Sequence, residues 1–239
     1  ISSQHTSNIM DWAKVTELNR TALLRIVETL FALSRIMPGE RPELDPEAKS
    51  DPLMTTLPRY VWRMAMLVLE PAEAAMRRLL IIAAQAYELK SKPGPGRGVP
   101  VIVAAEGRAP RLPVFNMFDP MKSFEDYWRP EIEGVEPQKF PEKLPVPQRF
   151  APVGAISLWR RINALHGAVT HLKASAQRYA RWKARRDFAI ANNLPLRPQR
   201  SSLMRPGFAP GWRKKDKHEI HGVLGECHNL ALDILSPVK

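Results

Sequence analysis

The sequence predicts a mainly α-helical fold: a helical bundle with a small β-hairpin and a Pro-rich surface arm. Three observations carry this. Apolar residues recur at helical spacing in four separate stretches, and only one short region alternates like a strand pair. Between residues 119 and 153 seven prolines (120, 130, 137, 141, 145, 147 and 152) rule out regular structure. Hydrophobic residues make up 44% of the 239, enough to build a core.

The first helix is expected from Trp12 to Met37, with Leu23, Ile26, Val27, Leu30 and Phe31 on its apolar face and Pro38-Gly39 as its stop. The next segment, "TTLPRYVWRMAMLVLEPAEAAMRRLLIIAAQAYELK", opens with Thr56 as cap and Pro58 in the first turn. Pro71 in its middle predicts a tight pair of helices, one ending near Leu69 and the next starting at Pro71. After "KPGPGRG", the runs "VPVIVAAE" and "LPVFNMFD" read as a β-hairpin joined by "GRAPR". The Pro-rich stretch follows; its Phe124, Tyr127, Trp128, Phe140 and Phe150 favour an arm that wraps the surface over a free linker.

A single long helix is then expected from about Ala155 to Ala191. Leu158, Ile162, Leu165, Val169, Leu172, Ala176 and Tyr179 are spaced 4, 3, 4, 3, 4, 3, the seam of a helix packed on another helix. Arg178, Arg181 and Arg185 fall on its opposite face, and beyond Tyr179 the helix turns basic all round. A last helix, about Lys217 to Leu235, buries Ile220, Val223, Leu224, Leu230, Ala231 and Ile234. The chain thus divides into a helical body with hairpin (10–118), the Pro-rich arm or linker (119–153), and a long basic helix with a C-terminal helix packed on the body (154–239).

Charge is the functional signal. The chain carries 36 Lys and Arg against 24 Asp and Glu, a net +12 with a pI near 10.1. From Ala151 onward 16 bases face only 5 acids, so nearly all the excess lies in the last third. Such a surface attracts polyanions. The expected role is non-catalytic nucleic-acid binding, DNA placed ahead of RNA. The expected contacts are Arg178, Arg181, Trp182, Lys183, Arg185 and Arg186 on the long helix, and Arg205, Trp212, Arg213, Lys214 and Lys215 beyond it. Arginine and lysine neutralise phosphates, and an indole stacks on a base or packs on an arginine. "RPGFAPGWRKKDK" resembles the extended basic arms that follow a minor groove, although it lacks the Gly-Arg-Pro core of an AT-hook.

Two rival readings come from other classes. One is a hydrolase-type enzyme using the His218, His221, Cys227 and His228 cluster of the last helix. The histidine spacing is only half a metal site, and no Cys-x-x-Cys or His-Glu-x-x-His pattern accompanies it. Cys227 shares the helix side of Leu224 and Ala231, the expected core side, so no catalytic residue, metal or cofactor is assigned. The other rival is an interaction module whose 158–179 seam pairs with a partner helix or a second copy. "GPGRG" at 94–98 lacks the Lys-Ser/Thr and strand–loop–helix context of a phosphate loop and reads as a turn. The longest apolar run, Leu79 to Ala84, is too short to cross a bilayer. With one cysteine and no secretory signal pattern, a cytoplasmic location is expected.

Two blocks, "LPRYVWRMAMLVLEPAEAAMRRLLIIAA" and "RPGFAPGWRKKDKHEIHGVLGECHNLALDIL", resemble a group of uncharacterised bacterial proteins sharing a helical "LEPAEAA" block and an "RPG…PG.RKK…HE…ECH" tail. The resemblance implies a coherent domain and no chemistry. It would place a family-specific site at Arg205, Pro206, Gly207, Pro210, Gly211, His218, Glu219, Cys227 and His228.

Overall fold

A computed structural model describes residues 11–36, 38, 56–85, 113–120, 148–194, 203–205 and 207–235. Among them are five helices and one two-stranded sheet: α1 (Trp12–Ser34), β1 (Thr56–Pro58), α2 (Arg59–Ala84), β2 (Pro152–Gly154), α3 (Ile156–Thr170), α4 (Leu172–Ala191) and α5 (Glu219–Leu235). The protein is mainly helical, and α2 is its axis. The helices α1, α3, α4 and α5 all pack on it, and every residue from Pro71 to Ala83 is buried. One core cluster joins residues of all five helices, from Leu23 to Cys227, so the basic last third is built into the body.

Helix α1 starts where Asp11 accepts a hydrogen bond from Lys14 N (3.1 Å) and ends at Arg35 in the left-handed conformation (φ 54°). Its expected face, Leu23, Ile26, Val27, Leu30 and Phe31, is buried.

Four expectations are corrected. First, Pro71 does not divide the second segment: α2 runs unbroken through it. The lost helical donor costs about 3 kcal/mol in an exposed helix. Here the ring is buried against the backbone of Gly211, which offsets that cost. Secondly, Thr56 is no cap, because β1 precedes the helix. The first two amides of α2, Arg59 N and Tyr60 N, donate instead to the carbonyls of Ala151 and Arg149 (3.0 and 3.2 Å).

Thirdly, the antiparallel sheet pairs Thr56 with Gly154 and Pro58 with Pro152. The expected first hairpin strand, 99–106, lies outside the described residues. The second, described from residue 113, shows no strand there beyond one bridge residue at Asp119. Arginine side chains take carbonyls that a neighbouring strand would otherwise satisfy: Arg77 Nε donates to Asn116 O (3.1 Å), Arg178 Nη2 to Phe115 O (2.6 Å). Most of the Pro-rich stretch, 121–147, also lies outside the described residues. Its end supplies β2, with the donor-less prolines at strand termini.

Fourthly, the long helix is two. It breaks at His171 (φ −104°, ψ 44°), which ends α3 and caps α4. Arg20 of α1 holds the break open: Nε donates to Val169 O (3.2 Å) and Nη2 to Thr170 O (3.4 Å). The apolar seam crosses the break intact, with all seven of its residues buried within this chain. A partner helix therefore finds no seam to occupy, and that interaction reading falls.

Candidate nucleic-acid interface

Helix α4 changes character along its length. Leu172, Ala176, Tyr179 and Ala180 are buried, whereas none of residues 181–194 is. Arg181, Lys183 and Arg185 are exposed. Arg181 lies along the helix with Nε on Gln177 O (3.2 Å), and Lys183 pairs with Asp187 at 2.8 Å, both in solvent. Such an exposed pair holds its lysine weakly. Arg185 stands with them.

The rest of the expected stripe is used internally. Arg178 is half-buried: beyond its bond to Phe115 O, its Nε contacts Met117 Sδ at 3.3 Å. Burial lowers its pKa from the ordinary arginine value. Trp182 packs edge-on against Phe118 (5.1 Å between centroids) and beside Tyr179 (6.1 Å), with the Arg186 guanidinium over its ring at 5.9 Å. Trp182 and Arg186 are thus half-buried and engaged with one another, and Trp182 also with Phe118 and Tyr179.

The second basic segment is not a free arm. Residues Ala209-Pro210-Gly211-Trp212 form a tight turn closed by Trp212 N donating to Ala209 O (3.0 Å). Proline second and a positive-φ glycine third (Gly211, φ 74°) are what a type II turn requires. Ala209 and Pro210 are buried. Arg205 is spent as an anchor: its backbone N donates to Asp119 Oδ2 (3.2 Å) and its Nε to Phe208 O (2.9 Å). A segment pinned in this way cannot follow a minor groove. What it does present is Lys214 and Lys215 in solvent, Arg213 half-exposed, and an aromatic stack of Phe208 on Trp212.

Beneath this loop lies a buried ionic network. Arg78 grips Asp119 at two points, and its Nε donates to His228 Nδ1 (3.1 Å). Arg77 donates to Glu73 (3.2 Å), which also takes two bonds from Arg161 (2.9 and 3.0 Å). Burial pushes the pKa of Arg77 down against the pull of Glu73 and Asp119. Sequence reasoning passed over these residues. Their one signal was charge, Glu73 and Arg77-Arg78, inside a run otherwise read as core.

The residues of the His/Cys cluster make separate contacts in the structure. Cys227 has no exposed surface, and burial first, with Glu226 nearby, pushes its thiol up to about 12. It stays a protonated, inert thiol near neutral pH. His228 has its Nδ1 committed to Arg78, and His218 Nδ1 accepts from Ile220 N (3.2 Å) at the start of α5. His221 is 7% exposed, and its Nδ1 has no hydrogen-bond partner among the described residues. Comparison of the chain with protein-family models, with curated proteins and with solved structures returns no match.

Proposed function

We propose that this protein binds nucleic acid without catalysis, through phosphate contacts made by two exposed basic segments. These are the solvent-facing half of α4, with Arg181, Lys183 and Arg185, and the loop carrying Arg213, Lys214 and Lys215. The supporting observation is the exposure of these cations in a region of few acids. Glu219 pairs with Arg25 (2.7 Å) and Glu226 accepts from Asn19 (3.3 Å), outside the two segments, while Asp187 holds Lys183 only through an exposed pair. Lysine and arginine at such sites release counterions from the nucleic acid, a sequence-independent attraction. Arg178, Arg186, Arg205 and Trp182 support the surface from within. The test is binding to duplex DNA, single strands and RNA across a salt series. A steep fall in affinity with salt is expected; affinity indifferent to salt would overturn the reading.

A further inference from the structure

We infer that Phe208, seated on Trp212, is a base-stacking platform, and that the preferred ligand is therefore single-stranded nucleic acid. This rests on the polyanion-binding reading above and adds the strand state that the surface selects.

Phe208 is 71% exposed, while the backbone on either side of it is tied to the body. On one side Arg205 is tied to the buried Asp119, and its guanidinium holds the Phe208 carbonyl. On the other the type II turn begins at once, with Ala209 only 1% exposed. Gly211 lies so close to Pro71 that a Cβ there would be 2.5 Å from the proline ring and 2.6 Å from its nitrogen. The Phe208 ring lies 5.9 Å from that of Trp212 at an interplanar angle of 28°. Behind Trp212 stand His228 (5.6 Å) and the backbone at Gly225.

A largely solvent-facing phenyl ring forgoes most of the burial that favours an apolar side chain. A fixed, exposed ring loses little conformational freedom when a partner covers it. Arg213, Lys214 and Lys215 follow Trp212 directly, and Lys217 lies two residues further, with Asp216 the one acid among them. The partner is thus a polyanion that carries flat apolar faces. A duplex keeps those faces inside its own stack, whereas a single strand offers them.

The experiment uses the full chain and four probes at low salt: oligo-dT, a duplex of equal length, an abasic strand with the same phosphates, and polyglutamate. Trp fluorescence reports binding, and melting curves check the fold. Oligo-dT should bind more tightly than the abasic strand. Phe208→Ala should weaken oligo-dT roughly 5- to 150-fold, toward the abasic level. It should leave the duplex and abasic affinities unchanged. Phe208→Tyr should keep oligo-dT binding, which carries the test if the alanine variant melts early. Equal binding of oligo-dT and the abasic strand, or full binding by Phe208→Ala, overturns the platform and leaves the phosphate reading standing. Polyglutamate that binds as tightly as oligo-dT and weakens equally with Phe208→Ala overturns it in favour of an acidic protein partner. If no nucleic-acid probe binds, or none responds to salt, both inferences fail together.

Discussion

Arg78 and Asp119 meet at two points, Nη1 on Oδ1 at 3.2 Å and Nη2 on Oδ2 at 2.8 Å, with neither side chain exposed. Because Asp119 also accepts from the backbone of Arg205, the pair links α2 to the loop that carries Phe208 and Trp212. A buried pair of this kind adds little over an apolar substitute, but losing one member strands the other.

Asp119→Ala should therefore cost about 3–5 kcal/mol in urea unfolding, because Arg78 keeps its charge without its counterion. The double variant Arg78→Met with Asp119→Ala should be less damaged than Asp119→Ala alone. Equal stability of Asp119→Ala and the parent would mean that the pair does not hold the loop.

Two glycines in that loop separate backbone strain from crowding. Gly207 (φ 79°) has open space where a Cβ would sit, so Gly207→Ala should lose roughly 1–2 kcal/mol from the left-handed backbone alone. Gly211 (φ 74°) carries the same strain and meets the backbone and ring of Pro71. Gly211→Ala should add about 1–3 kcal/mol of overpacking. Thermal melts that rank the two variants equally would show that the packing against Pro71 yields.

The seam of α3 and α4 was legible because its spacing depends only on helical periodicity, and all of its residues are buried. The burial of Cys227 was legible for the same reason. Four features were not, since each depends on a group distant in sequence. Pro71 stays inside α2 because Gly211 receives its ring; the helix breaks at His171 where Arg20, about 150 residues earlier, takes its carbonyls. β1 finds its partner beyond the Pro-rich stretch. Arg178, read as a contact for a ligand, donates to the carbonyl of Phe115, and the backbone N of Arg205 donates to Asp119, which charge alone could not reveal. Phe208 drew no attention because an aromatic in a sequence carries no mark of exposure.

Histidine titration gives a pH dependence of known sign. Burial first, then Arg78, lowers the pKa of His228 below 6.5; burial, then Arg213, does the same for His221. In both cases the folded protein binds the proton less readily than the unfolded chain. Their contribution is complete above about pH 6.5 and is lost as pH falls through the folded-state values. His228→Asn keeps an acceptor for Arg78 and removes the titration. Its urea midpoint should fall less than the parent's between pH 7 and pH 5. Parallel curves for the two proteins would show that His228 does not contribute.

The last prediction separates cations that face a ligand from those that hold the fold. Arg181, Lys183 and Arg185 are exposed, so changing all three to Ala should leave the melting temperature nearly unmoved. If each meets one phosphate, the salt slope on duplex DNA should become shallower by about 0.9 for every phosphate no longer neutralised. Arg178→Ala should behave in the opposite way. It removes the donor to Phe115 O and should cost about 1–2 kcal/mol of stability while leaving the salt slope near the parent's. Unfolding and binding titrations on the same two proteins decide the matter. A triple variant that binds with the parent's slope would exclude the outer half of α4 from the interface, whatever the loop at 213–215 then proves to do.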